Sequence, residues 1–568
     1  MRILMLIHGF NALSQRLLVE LEEMGHDVSI EFDINDNNTL TAIEAFKPDL
    51  IFAPYLKRAI PEAVWQNHLC LILHPGPTGD RGPSAIDWAI LKNEKEWGVT
   101  LLQATAEMDA GPVWQSKIFA MTENTKSAIY RKEVTEAAVV AIREYFAEVQ
   151  KAALHKKPEV ECAPVSIFSP AVKQSDRAIN WQKDDTKTVL RKIRSADGVP
   201  GVKDTICQTE VFLYDAHQAK QLSGISGEII AISGPAICRA TIDGAVWIGH
   251  LRDANSDHKF KLPATQVLKH HLDEIEQIPV DAPSGYQEIS YQKIGDIGHL
   301  HFEFYNGAMS TKQCERLLKA YHHAQRQDTK VIVLHGGSNF WSNGMHLNII
   351  EASASPADES WRNINAIDDL AEAIIRTQNQ ITIAAMHGNA GAGGVFLARA
   401  CDFVWLRKGV ILNPHYKDMG NLYGSEFWTY LLPRYSGAEN AKRITGQRRP
   451  MGGKEAVRLG LANECFGNNA NEFEALVREK AQHLTGANTF KQILEKKTRQ
   501  RQSDELEKPL AQYRAEELKK MQQNFFGFDP SYHVARYNFV YKIPKSRTPV
   551  TLARHRDQRL TSPERKAS

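Results

Sequence analysis

Three stretches of the chain hold the residues best suited to chemistry. In Leu73–Ile90, LHPGPTGDRGPSAIDWAI, an imidazole stands where an apolar run gives way to a Gly/Pro-rich loop. Such a loop presents His74 to a ligand over backbone donors. A carboxylate from a later segment can then orient the ring and stabilise its protonated form. Asp109, in the turn MDAG, is the candidate, although alone it reads as a turn residue and His74 as a surface histidine. The second stretch, HGNAGAGGVFLARACDFVW, follows the apolar run Ile381–Met386, and about fifty residues earlier NFWSNGMHLNII follows another. Glycines where a strand turns into a helix let backbone amides approach a ligand closely and meet developing negative charge. The spacing of Gly388–Gly394 does not fit a GxGxxG fingerprint, and no acidic residue follows at the right distance, so dinucleotide binding is set aside. The third stretch, PHYKDMGNLYGSEFW at Pro414–Trp428, brings His415, Tyr416 and Glu426 together. Tyr416 also reads as a packing aromatic and Glu426 as a helix-start carboxylate.

The elements that must position these groups follow from periodicity. Apolar runs at Arg2–Ile7, Asp27–Phe32, Leu50–Ala53 and Leu69–Leu73 alternate with amphipathic segments near Ala12–Met24, Leu40–Phe46 and Ser84–Leu91. That rhythm predicts an open, mostly parallel α/β sheet whose ligand site lies beyond the carboxyl ends of the strands, where Gly9 and His74 fall. MRILMLIHGF has no small-residue cleavage site and is read as a first buried strand, not a signal peptide. A helix near Ala128–Leu154 leads into KKPEVECAPV, read as a linker. Short strands at Gly227–Ile232, Ala236–Thr241 and Ala245–Gly249, split by Ser-Gly-Pro and Asp-Gly turns, predict a small antiparallel barrel. A second α/β region starts near Ile294, with strands at Ile297–Phe304, Val331–Leu334, Ile381–Met386 and Asp402–Leu406. The domains expected are 1–162, 163–280, 285–500 and a helical or extended tail at 501–568, whose role composition does not reveal. Lys542–Arg559 is read as a solvated basic tail, with phosphate contacts as the alternative.

With 568 residues, the chain exceeds a single core. Its 69 basic and 67 acidic residues balance, which argues against nucleic acid or a charged membrane as the main partner. No apolar run reaches membrane-span length. Seven scattered cysteines without a CxxC pair read as reduced thiols of a cytoplasmic protein.

Taken together, Leu73–Gly82 and the segment WGVTLLQATAEMDAG at Trp97–Gly111 resemble the formyltransferases that use 10-formyltetrahydrofolate. APYLKRAIP at Ala53–Pro61, RAINW at Arg177–Trp181, RKIRSADGVPG at Arg191–Gly201 and the barrel segment extend the resemblance over about the first 275 residues. It implies a Rossmann-like domain followed by an OB-like β-barrel, with His74 and Asp109 activating the formyl group. Tyr55, Leu56, Lys57, Arg58 and Ile60 would line the folate pocket. One position departs: the family's catalytic Asn lies two residues before the His, where this chain has Ile72. Isoleucine offers no oxyanion donor, and losing one costs about two to three orders of magnitude in rate.

The paired glycine turns, with TGQRRPMGGKEAVRLGLANECF further on, resemble the enoyl-CoA hydratase/isomerase (crotonase) superfamily over about Ile294–Phe466. The likeness implies a spiral ββα fold and a CoA thioester whose oxygen is held by the amides of Met345 and Gly393. Ser342, Asn343, Gly344, Gly391 and Gly394 would contact CoA. The two glutamates of a hydratase align with Phe396 and His415, so hydration is not expected; Tyr416 and Glu426 are the alternative acid–base groups. A formyl-folate half joined to a modified crotonase half resembles the HypX/HoxX type of [NiFe]-hydrogenase maturation factor. That resemblance implies carbon monoxide as product, made by formyl transfer from 10-formyltetrahydrofolate to coenzyme A and decarbonylation of the formyl-CoA. It also implies hydrogenase iron-site assembly proteins as partners. A formyl-folate hydrolase, a formyltransferase with another acceptor and an inactive C1-delivery scaffold stay open as alternatives.

Overall fold

The computed structural model describes residues 1–151 and 167–557. The chain forms two compact units, Met1–Ile278 with Lys545–Ser568 and Pro279–Pro544.

In the first unit a six-stranded sheet runs in the order Asp27–Phe32, Arg2–Ile7, Leu50–Tyr55, Cys70–His74, Glu96–Gln103, Val113–Ala120. The first four strands are parallel and the last two antiparallel. The continuous apolar run of Arg2–Ile7 fits a strand covered on both faces. Ile3, Met5 and Ile7 pack with Leu13, Leu17 and Ile142 of helices Ala12–Glu23 and Thr135–Lys151. Leu4 and Leu6 meet Ala42, Ile43 and Phe46 of helix Asp36–Phe46 on the other face. His74 ends the fourth strand, at the carboxyl edge where parallel sheets take their ligands.

A second sheet of this unit is antiparallel: Ile229–Ser233, Ala236–Ala240, Ala245–Asp253, Thr209–Gln218, Val202–Ile206, with Leu262–Pro263 added to the third. Each strand pairs with its neighbours along that order. Helix Thr186–Ala196, capped by Asp185, lays Val189, Leu190 and Ile193 on its core.

The helix expected over Ala128–Leu154 is interrupted: Lys126–Ile129 passes through a wider turn at Tyr130–Val134 into Thr135–Lys151. KKPEVECAPV, Cys162 and the expected 162/163 boundary lie outside the described residues. The basic stretch read as solvated is partly packed. His555 and Arg556 hold the buried Glu31 at 3.2 and 3.0 Å, and Thr548 Oγ1 donates to its other oxygen at 2.8 Å. A buried carboxylate next to an exposed edge needs such partners, and these cations supply them.

The second unit is a spiral of strand pairs. Val331–His335, Ile381–Met386 and Phe403–Arg407 are parallel strands of one sheet, flanked by Ile297–Phe302 and Glu464–Phe466, with Ile289–Ile294 antiparallel at the edge. Each of the three continues through a turn into a short strand of a second sheet: Phe340–Ser342, Asn389–Gly391 and Ile411–Asn413. The glycine turns therefore recur at equivalent places in successive windings. Helices Thr311–Gln325 and Pro356–Ile375 cover one face of the larger sheet, and Ala470–Leu484 covers the other. The segment from 501 on, opaque in sequence, contributes Leu510–Phe526, whose Leu510, Met521 and Phe525 enter the main core. Among the described residues no helix is long and apolar enough to cross a membrane.

Candidate functional site

At the edge of the first sheet, His74 is 4% exposed and held between two carboxylates. Its Nδ1 lies 3.4 Å from Asp109 Oδ2, and its Nε2 lies 2.8 Å from Asp80 Oδ2. Asp109 sits in left-handed backbone, φ 53°, and accepts the amide of Gly82 at 3.2 Å. The loop closes tightly: a side chain on Gly76 would collide with His74 and Asp80, while Gly76 O accepts Thr100 Oγ1 at 2.8 Å. Asp80 is the residue sequence reasoning missed, although a carboxylate six positions past the histidine in a Gly/Pro turn was the available signal. Strand alternation puts Ile72 on the same face as His74, so an aliphatic side chain stands beside the imidazole.

The segment expected to line a folate pocket is spread out. Tyr55 is half-buried and edges onto the His8 ring at 6.0 Å. Leu56 and Ile60 belong to an apolar cluster. Lys57 is exposed, and Arg58 is tied to Asp33 and Asp36 at 3.2 and 2.6 Å. Arg58 and Ile60 line a surface depression with Trp65 and Ala106.

In the second unit the two glycine turns face each other: a side chain on Gly344 would come within 3.6 Å of Gly393 N. Ser342, fully buried, accepts the amide of Gly344 at 3.0 Å and fixes the first turn, while Asn343 Nδ2 donates to Asn306 O at 2.8 Å. A side chain on Gly394 would strike Ser342 O, and one on Gly391 would approach Asn343 Oδ1 at 3.1 Å. A side chain on Gly393 would collide with both carboxylate oxygens of Glu426. Glu426 therefore sits against the amide expected to hold a thioester oxygen. Met345, next after Gly344, pairs with Met309 in an isolated bridge.

Tyr416 Oη donates to Glu426 Oε2 at 2.6 Å. The Tyr416 ring stacks on Phe396, centroids 5.6 Å apart, so the phenylalanine is a platform for the tyrosine. Glu426 and Phe427 both adopt φ 59°, a conformation costing about 1–3 kcal/mol for each non-glycine residue. Two more carboxylates hold this strained pair. Asp368, on helix Pro356–Ile375, accepts Glu426 N at 2.8 Å and Ser425 Oγ at 2.7 Å. Glu517, on helix Leu510–Phe526, accepts Phe427 N at 2.9 Å, Thr429 N at 2.8 Å and Thr429 Oγ1.

Asp368, Glu426 and Glu517 are each at most 1% exposed, and the hydrogen bonds they accept come from hydroxyls and amides. Burial, then the neighbouring Asp368, pushes Glu426 up to about 8 and Glu517 up to about 8; burial pushes Asp368 up to about 7. Burial and the Glu426 charge raise Tyr416 well above the ordinary phenol range. A carboxyl poised near neutrality against an amide turn can take and return a proton in a dry pocket. Asp368 and Glu517 were not found from sequence, because each belongs to an acidic pair, Asp368–Asp369 and Glu516–Glu517, that reads as solvated helix charge. His415 is half-buried, and that burial lowers it below the ordinary imidazole range.

Family models match this architecture in three places: formyl transferase over residues 33–144, the formyl transferase C-terminal domain over 171–271, and enoyl-CoA hydratase/isomerase over 301–529. A methionyl-tRNA formyltransferase of Thermotoga neapolitana is 24% identical over 247 residues, 43% of this chain and 78% of its own. Similarity over the full length is found with the hydrogenase maturation factor HoxX of Bradyrhizobium diazoefficiens, 52% identical over 559 residues and 98% of both chains. The crystal structure of HypX from Aquifex aeolicus in complex with tetrahydrofolic acid superposes with a TM-score of 0.94 at 47% identity, covering 98% of this chain and 99% of that one. With a formyltransferase half, a crotonase half and that full-length likeness, the chain belongs to the HypX/HoxX family of hydrogenase maturation factors.

Proposed function

We propose that the protein makes carbon monoxide from the formyl group of 10-formyltetrahydrofolate, using coenzyme A as the carrier between two chemical steps. The observation that carries this reading is the Tyr416–Glu426 pair, buried against Gly393 in a crotonase fold that has Phe396 and His415 where a hydratase has glutamates. Tetrahydrofolic acid bound to HypX of Aquifex aeolicus supports a folate ligand for the first unit.

In the first step His74, oriented by Asp80 and Asp109, manages the proton of the attacking thiol while the formyl group passes from folate nitrogen to CoA sulfur. Tyr55, Leu56, Lys57, Arg58 and Ile60 belong to the folate-facing segment, with Ile60 acting through packing. Isoleucine at 72 suits a thiol acceptor: a thiolate is a strong nucleophile and asks less of an oxyanion donor than an amine does.

In the second step the amides of Met345 and Gly393 hold the formyl oxygen, and Ser342, Asn343, Gly344, Gly391 and Gly394 shape the turns around the thioester. The C–H bond gives its proton to Glu426, the C–S bond breaks, carbon monoxide leaves, and the thiolate recovers the proton through Glu426 and Tyr416. Carbon keeps its oxidation level, so the balance is HC(O)S–CoA to CO plus HS–CoA with no redox partner. Asp368 and Glu517 hold the backbone of Ser425–Thr429, and the Asp368 charge raises the proton affinity of the Glu426 carboxylate that takes the formyl proton. The gas would serve as the carbonyl ligand of a hydrogenase iron site, delivered to iron-site assembly proteins.

The test is incubation of purified protein with 10-formyltetrahydrofolate and CoA while a ferrous haem protein traps the gas. A haem–CO spectrum that requires both substrates is expected. Formate in place of CO would select a formyl-folate hydrolase instead.

A further inference from the structure

The larger sheet of the second unit has two faces, and only one serves the acid–base site. Leu300, Phe302, Leu334, Ala384 and Met386 point to the core that contains Tyr416 and Phe427. The opposite face carries Ile297, Val331, Val333, Ile381, Ile383 and Ala385 under Phe473 and Val477 of helix Ala470–Leu484. Strand alternation continues that second face into four histidines. His299 and His301 follow Ile297 at steps of two, His335 follows Val333, and His387 follows Ala385. The parallel register sets His301 beside His335 and His335 beside Ala385. Glu474, on the covering helix, comes down among them.

Burying imidazoles where the neighbouring positions are valine and isoleucine costs free energy unless their nitrogens find partners. His335 is 2% exposed, and its Nε2 meets His299 Nδ1 at 2.9 Å. Its Nδ1 has no hydrogen-bond partner. That nitrogen lies 3.5 Å from Glu474 Oε2, and His387 Nε2 lies 3.2 Å from the same oxygen. The three ligand atoms all fall within 4.8 Å of one another. A tetrahedral ion with nitrogen and oxygen ligands at about 2.0–2.2 Å has ligand–ligand edges of roughly 3.3–3.6 Å. The two short separations already match such an edge.

We propose that His335 Nδ1, His387 Nε2 and Glu474 Oε2 form a site for one divalent first-row transition ion, of which zinc is the probe. Two imidazoles and one carboxylate suit a borderline ion better than magnesium or calcium, which prefer all-oxygen sets. A fourth position remains for water, since the His387 and Glu474 side chains keep 14% and 23% exposure. The surroundings are those of a metal ligand set. With its proton on Nε2, shared with His299 Nδ1 at 2.9 Å, the His335 ring leaves Nδ1 for the ion, and His301 stacks on the same ring at 4.3 Å. Arg478 Nε donates to Glu474 Oε1 at 3.1 Å, leaving Oε2 for the ion. The ion would pin helix Ala470–Leu484 to the sheet immediately before the turn Asn389–Gly393, behind the thioester-holding amide.

The test uses the full chain stripped with a chelator and titrated with zinc chloride against a chromophoric competitor. One zinc per chain is expected, unaffected by excess magnesium. The double variant His387→Gln/Glu474→Gln changes only partly exposed side chains and should lose that equivalent while keeping its far-UV spectrum. His299→Ala should weaken binding about 10–100-fold by releasing the His335 ring. Zinc should raise the Tm of the parent protein and not of the double variant. Equal zinc binding by parent and double variant, or none by the parent, would overturn the site.

Discussion

The two candidate sites solve opposite electrostatic problems with similar residues. In the first unit the carboxylates of Asp80 and Asp109 flank one imidazole, so charge is paired where it arises. In the second, three carboxyls are buried together and bonded by hydroxyls and amides, so they retain their protons towards neutral pH. The difference matches the two steps proposed. Moving a formyl group from nitrogen to sulfur calls for a polar loop that can carry an imidazolium. Splitting carbon from sulfur calls for a dry pocket in which one carboxyl both accepts and returns a proton.

The sharpest test of that contrast is a crossed pair of variants. His74→Ala should lower formyl-folate consumption by about 10²–10⁴ while CO release from supplied formyl-CoA is untouched. Glu426→Gln should do the reverse: CO release falls by about 10²–10⁴ while formyl-folate is still consumed and formyl-CoA or formate accumulates. If either variant lowered both rates equally, the division of labour between the units would be wrong. Somewhat smaller losses, about two orders of magnitude each, are expected for Asp109→Asn and Asp80→Asn in formyl-folate turnover. Equal losses would show that both carboxylates orient His74; an effect of Asp109 alone would reduce Asp80 to packing.

How much of this was readable before the structure depends on how local the determinants are. His74 and Asp109 lie in short motifs with fixed turn geometry, and the paired glycine turns recur because each winding of the spiral repeats one strand–turn–strand unit. Arg2–Ile7 was legible because a strand covered on both faces is apolar throughout. Asp80 lies in the same loop as His74, but a carboxylate in a Gly/Pro turn is usually there for the turn, so its type and place alone do not mark it. Asp368 and Glu517 were out of reach: their meaning comes from burial against Ser425–Thr429, contacts 57 and 92 residues away in sequence. The helix Leu510–Phe526 looked like a polar tail for the same reason, its buried stripe being only a few residues wide. His299, His301, His335 and His387 are spread over three strands, and only parallel register gathers them.

Gly393→Val probes the join between the amide turn and the acid–base pair. Its side chain would displace Glu426 as well as obstruct the thioester oxygen, so CO release should fall by about 10²–10³ with folate consumption unchanged. Tyr416→Phe removes the 2.6 Å hydrogen bond to Glu426 but keeps the stack on Phe396. It should slow CO release by less than Glu426→Gln does. Wild-type CO release in both Tyr416→Phe and Glu426→Gln would return the chemistry to the first unit.

The mildest effect is on stability, and its sign is fixed by linkage. Asp368, Glu426 and Glu517 have folded-state values raised to about 7, about 8 and about 8, against ordinary values of 3.8, 4.5 and 4.5. Between those limits the folded chain holds protons that the unfolded chain has released, so unfolding free energy falls as pH rises. The contribution is fully present below about pH 4 and is lost progressively up to about pH 8, one carboxyl after another, because the three titrate as a coupled set. The denaturant midpoint of the full chain should therefore decline from pH 6 to pH 8. Asp368→Asn should flatten the decline. Asparagine still accepts the Glu426 amide through its carbonyl, but it removes one titrating group and the like charge that raises Glu426. The same substitution should move the pH at which Glu426 ionises downward, shifting the rising limb of CO release towards acid. A parent slope that survives Asp368→Asn unchanged would mean that Asp368 does not retain its proton in the folded state, and its part in the proton-retaining pocket would have to be abandoned.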